Sequence, residues 1–195
     1  MSDHRKLAHL EEQLGDVLYR AIIDPENTAA VKTFARTLIL AVKPVGLPTT
    51  YDQALGLTEL IRRAVGPDNL GNINSDITQA RFPLQGTGVR KVKARVVPYL
   101  DGETSEEIAV RLAGCAFGNT GDLAGFLHDH PEEVEKWGWV LAISEDSRWA
   151  GPDGGDVCVP VVRVCGAYRG FGLVGFRRRL RSDFVSNCGV LVLCE

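Results

Sequence analysis

The chain has 195 residues, 45% of them hydrophobic and 24% charged, with a formal net charge of -3. These values exclude a disordered polyelectrolyte and fit either one domain with a real core or a helical subdomain on a sheet-containing one. No apolar run approaches the ~20 residues that cross a bilayer, and the opening Met1-Ser2-Asp3-His4-Arg5-Lys6 lacks the apolar core of a signal peptide, so the sequence reads as cytoplasmic, with no membrane partner.

Residues 5–20 carry Leu7, Leu10, Leu14, Val17 and Leu18 at three- and four-residue spacing, which predicts an amphipathic helix. A second helix is expected from Asp24 and Pro25, with Val31, Phe34, Ala35, Leu38 and Val42 buried, until Pro44 stops it. Thr50 and Gln53 have capping-box spacing and predict a third helix, striped by Ala54, Leu57, Ile61, Ala64 and Val65 and ended by Gly66-Pro67. Residues 67–88 are rich in Asn and Gly and read as a long loop at a subdomain boundary.

From residue 89 the period changes. Val92, Ala94 and Val96 alternate with Lys91, Lys93 and Arg95, the pattern of a half-buried strand. Short helices are expected after Thr104, after Thr120 and after Asp129, the last with Asp129 and Glu132 as a capping box. The run Trp139–Ile143 reads as a strand buried on both faces. Val157–Cys165 and Phe171–Phe176 read as a hairpin, with Pro160 implying an edge position or a bulge. Gly189–Cys194 completes about five strands. The fold class is therefore α+β: N-terminal amphipathic helices packed against a mostly antiparallel or mixed sheet. A mainly helical region, 1–85, precedes a sheet-containing α+β region, 86–195, and the two can share one domain.

Charge is sorted along this frame. Residues 86–98 hold Arg90, Lys91, Lys93 and Arg95 and no acid. Residues 99–156 hold 13 acids against Arg111, Lys136 and Arg148. Residues 157–182 hold six arginines and no acid. Such sorting can steer an anionic partner or orient self-association. The anion-binding candidates are Lys91, Lys93 and Arg95 on one strand and Arg177, Arg179 and Arg181 on another. If both stripes faced one way, six cations would form a patch fit for phosphates, on nucleic acid or on a small ligand.

Three other constellations carry chemistry on paper. His128 and His130, with nearby carboxylates, are the residue types of a zinc or iron site, but they lack a third ligand and a metal framework, and no metal is assigned. The loop 144–156 offers Asp146, Arg148, Trp149, Asp153 and Asp156 as ligand contacts, without the oxygen order of a calcium loop. Cys115 pairs with His128 or His130 only as a thiol at a helix C-terminus, the wrong end for activation. Five cysteines without C-x-x-C spacing read as reduced thiols. No cofactor motif is present. The reading this supports is a non-enzymatic interaction or assembly protein with a charge-segregated surface, able to form a homo-oligomer. The alternatives are an enzyme acting on an anionic or phosphorylated small molecule, and a nucleic-acid-binding module using the basic strand faces.

Overall fold

The computed structural model describes residues 46–99, 105–112, 115–150, 157–175 and 188–194. They belong to one compact unit, Val45–Glu195. The helices expected over 5–20 and between Asp24 and Pro44 lie outside the described residues. What is described is α+β, built on a mixed sheet of eight strands.

In chain order the elements are β1 (Leu47–Asp52), α1 (Leu57–Val65), β2 (Val89–Pro98), α2 (Ser105–Arg111), β3 (Ala116–Phe117) and α3 (Thr120–Asp129). They continue with α4 (Pro131–Glu135), β4 (Trp139–Leu141), β5 (Trp149–Ala150), β6 (Val157–Cys165), β7 (Tyr168–Gly175) and β8 (Cys188–Cys194). The sheet runs β1-β2-β8-β4-β6, and β7 pairs with β6 along almost its whole length. The two-residue strand β3 pairs with β8, and β5 with β6. Among the named strands only β4 and β8 pair in parallel.

The alternation of each strand sorts its side chains into two cores. On one face Ala94, Val140, Val162 and Leu191 meet Leu57, Leu60 and Ile61 of α1, Leu123, Phe126 and Leu127 of α3, and Val134 of α4. On the other, Val97, Leu141, Val161, Val190 and Val192 meet Ile108 and Leu112 at α2. Strand β8 supplies both cores from consecutive residues, which is why Val190-Leu191-Val192 is apolar without interruption. Each large aliphatic side chain so buried contributes about 1.5–3 kcal/mol.

Three sequence expectations change. The third helix does not begin at Thr50: residues 47–52 are β1, antiparallel to β2 with Thr50 opposite Lys91. Thr49, Thr50 and Tyr51 favour a pleated surface, and pairing with β2 outweighs the capping-box spacing. The cap falls to Asp52, whose carboxylate accepts from the Ala54 N–H at the turn Gln53–Leu55 before α1 starts at Leu57. Strand β6 is not at an edge, since β7 lies on one side of it and β4 with β5 on the other. Pro160 is tolerated because its carbonyl accepts from Ala142 at the end of β4, so its nitrogen faces the same side. There the neighbouring chain leaves the sheet at Ile143 and returns only at Trp149, and no donor from Pro160 is required. The third change is the strand count. Strands β1, β3 and β5 raise the expected five to eight.

Candidate functional site

Strand β2 organises the polar chemistry because its alternation sends arginines to opposite faces. Arg90 points to the α3 side, directly across from Tyr51 of β1. Helix α3 brings Asp122 to the same point. Asp122 is fully buried. Its Oδ1 accepts from the Tyr51 hydroxyl at 2.9 Å and from Arg90 Nε at 2.8 Å. Its Oδ2 accepts from Arg90 Nη2 at 3.2 Å and from the Asn119 backbone N–H at 3.0 Å. Four donors fill the acceptor sites of one carboxylate. The Asn119 Oδ1 in turn accepts from the Asp122 N–H at 2.9 Å, closing a capping box. Asn119, not Thr120, is therefore the N-cap of α3.

Two glycines let the helix come this close. A Cβ at Gly121 would stand 3.0 Å from the Tyr51 hydroxyl oxygen, and one at Gly125 would stand 2.6 Å from the Tyr51 ring. Burial and the Asp122 carboxylate push the Tyr51 phenol above its usual range. The hydrogen bonds to Asp122 raise the affinity of Arg90 for its proton. The cluster is thus a saturated structural lock. Tyr51, Arg90, Asn119 and Asp122 escape a reading by motif, although an asparagine three residues before an aspartate at the head of an apolar run is a legible helix start.

Lys91, Lys93 and Arg95 leave β2 on the opposite face, the side on which Val97 enters the α2 core. Lys91 and Lys93 are exposed and Arg95 is half-buried. Among the described residues no carboxylate pairs with any of the three. The Nε and Nη1 atoms of Arg95 are covered, and no acceptor among the described residues reaches either of them. Leaving a buried donor without an acceptor costs about 1–3 kcal/mol. Arg177, Arg179 and Arg181 lie outside the described residues, as do Asp153 and Asp156.

The remaining candidates separate. His130 directs Nε2 to the Pro48 carbonyl oxygen at 2.8 Å, and the Asp129 carboxylate accepts from the Thr50 N–H at 2.9 Å. Asp129 therefore ends α3 and does not cap α4, whose N-cap is His130 without a side-chain bond. Both groups close the outer edge of β1. His128 is exposed, and among the described residues no three His, Cys, Asp or Glu side chains converge as a metal site. Trp149 folds back onto the core, with the Arg81 guanidinium 4.2 Å over its ring. Arg148 bonds the Ile143 carbonyl through Nε at 3.3 Å, and Asp146 is exposed in the turn Glu145–Ser147. That turn is tied to α3 by hydroxyls: Ser147 lies 3.0 Å from Thr120 and 3.1 Å from Ser144.

The far edge of the sheet is closed in a similar way. Asn69 accepts from the Arg169 N–H at 3.1 Å and donates to the Ala167 carbonyl at 3.1 Å. Asn72 donates to the Arg169 carbonyl at 3.4 Å, and the Asn74 N–H donates to the Phe171 carbonyl at 2.9 Å. The asparagines of the 67–88 segment act as a surrogate strand for β7. The five cysteines form no disulfide, and burial pushes the Cys188 thiol up to about 11. No helix among the described residues is long and apolar enough to cross a membrane. No family model, curated protein or solved structure matches the chain.

Proposed function

We propose that the protein is a non-enzymatic interaction protein that receives an acidic protein surface on the basic face of β2. The observation that carries this reading is the stripe Lys91, Lys93 and Arg95, three cations on one strand face without a carboxylate partner among the described residues. Two further observations support it. Edge-on assembly by strand addition is disfavoured, because Asp129 and His130 occupy the backbone groups of β1 and the asparagines occupy those of β7. The Tyr51–Arg90–Asp122 cluster is used in holding the fold, so contact falls to the face. The acidic stretch 99–156 gives the chain itself the complementary charge, with Glu132, Glu135, Glu145 and Asp146 exposed, so a second copy is one such partner.

The test is binding of a polyglutamate peptide to the full chain at two salt concentrations, with sedimentation of the chain alone alongside. The expected result is affinity that falls as salt rises and falls further in the Lys91→Met/Lys93→Met double variant. Equal binding by the wild type and the double variant would remove the basic face from the interaction. Tighter binding of a single-stranded oligonucleotide than of polyglutamate would replace the acidic-protein reading with a nucleic-acid one.

A further inference from the structure

Strands β3 and β8 bring two cysteines from distant parts of the chain into register. Their antiparallel pairing sets Phe117 opposite Val192 and Ala116 opposite Leu193. One step further in the same register, Cys115 stands opposite Cys194. The hydrogen bonds define what kind of pair this is. The Gly118 N–H donates to the Leu191 carbonyl, so Gly118 is a hydrogen-bonded position and, by alternation, Phe117 and Cys115 are not. The Cys115 N–H accordingly donates to the Leu112 carbonyl at 2.9 Å. On β8, the Cys188 carbonyl accepts from the Tyr99 N–H, and alternation from there turns the backbone groups of Val190, Val192 and Cys194 toward β2. Both strands therefore make Cys115 and Cys194 a non-hydrogen-bonded pair, whose α-carbons stand about 4.5 Å apart. That spacing falls within the roughly 4.4–6.8 Å that a disulfide bridges.

The side chains share a face as well. Cys115 and Phe117 pack on the α2 core, the core that Val190 and Val192 enter from β8. Both cysteines are half-buried, and both are thiols. The Cys194 Sγ rests beside Gly46, where a Cβ would stand 2.8 Å from it, and a change of χ1 rotamer turns it toward Cys115. The other three cysteines face other residue types across the sheet. Cys158 is opposite Gly175 and Trp149, Cys165 is opposite Tyr168, and Cys188 is opposite Trp139.

We propose that Cys115 and Cys194 are a modification site, a pair of thiols that a hydroperoxide converts to a disulfide joining β3 to β8. With hydrogen peroxide, one thiol takes up an oxygen as the O–O bond breaks, giving a sulfenic acid and one water. The second thiol then attacks that sulfur, the S–S bond forms, and the hydroxyl leaves as a second water. Two thiols are oxidised by two electrons and the peroxide is reduced to water. Strand β3 carries the chain from α2 on one core to α3 on the other, so the link fixes that crossing. It also closes a long loop, which restricts the unfolded chain most. The inference does not depend on the reading of the basic face.

The experiment treats the dilute full chain with equimolar hydrogen peroxide. Links are mapped by mass spectrometry of an unreduced digest, and thermal unfolding is followed with and without dithiothreitol. Two of the five thiols should disappear, in one link joining the Cys115 and Cys194 peptides. The midpoint should rise by about 5–15 °C and return on reduction. Cys115→Ser and Cys194→Ser should each abolish the link and the rise, and Cys165→Ser, at the start of the β6–β7 turn, should leave both intact. A link through any other pair, oxidation to sulfinic acid without a link, a link formed between chains alone, or a linked chain no more stable than the reduced one would each overturn the inference. The digest of the wild type decides the pairing even where a variant fails to fold.

Discussion

Arg90 and Arg95 leave the two faces of one strand, and their guanidinium groups meet opposite circumstances. Arg90 keeps 31% of its side-chain surface exposed and spends its donors on a carboxylate that is fully buried. Tyr51 and the Asn119 backbone complete that carboxylate. Arg95 has two covered donors, Nε and Nη1, that no acceptor among the described residues reaches. The difference teaches that positive charge on one strand can meet two separate fates. On the α3 face it is consumed in fastening the paired strands β1 and β2 to a helix. On the α2 face no carboxylate among the described residues takes it up.

The largest effect should come from breaking the fastened side. Asp122→Asn removes the charge that Arg90 and Tyr51 are built around, and loss of one partner from a buried pair costs about 3–5 kcal/mol. Urea unfolding measures it, and a loss below 1 kcal/mol would show that the lock is ornamental. The edge closure supplied by the same helix comes next. Asp129→Ala with His130→Ala removes two hydrogen bonds to β1, about 1 kcal/mol each, and exposes the Pro48 carbonyl and the Thr50 N–H. Light scattering should then show stronger concentration-dependent association than in the wild type; an unchanged monomer fraction would contradict the role given to these side chains. Tyr51→Phe tests the neutral member of the lock and should cost about 1 kcal/mol, read by the same urea titration.

An effect confined to alkaline pH lies on the other face. Cys188 has its pKa raised by burial from 9.0 to about 11. A thiol whose pKa is higher folded than unfolded contributes stability that is fully present below pH 9 and is lost as pH rises through 11. Tyr51 acts in the same direction, above the ordinary phenol range. Stability should therefore fall between pH 9 and pH 11, and Cys188→Ala should flatten that part of the profile. A slope unchanged in the variant would assign the alkaline loss elsewhere.

The parts of the fold that sequence reveals are those with a clean period. Strand β2, the 157–175 hairpin, β8 and the helix through Leu123, Phe126 and Leu127 all follow from local alternation or stripe. Strand β1 does not, because Thr50 and Gln53 satisfy a helix-start pattern, and only the partner strand, 40 residues on, decides otherwise. Strands β3 and β5 have two residues each and no period to read. The site divides likewise. The stripe Lys91, Lys93 and Arg95 is visible as alternation. The pairing of Arg90 with Asp122 is not, since it depends on where α3 lands. His128-Asp129-His130 shows how a metal-like string can serve another end: Asp129 and His130 substitute for a missing strand neighbour. The asparagines at 69, 72 and 74 look like loop composition until β7 gives them a backbone to bond.

The most direct measurement sets the two arginines against each other. Urea unfolding of Arg90→Met and Arg95→Met in chloride buffer gives two stability changes from the same substitution on the same strand. Arg90→Met should lose about 3–5 kcal/mol, because Asp122 is left buried and unpaired. Arg95→Met should lose nothing or gain up to about 2 kcal/mol, because covered donors without acceptors are replaced by a thioether. Equal losses in the two variants would contradict the account, since Arg95 would then hold the fold as Arg90 does.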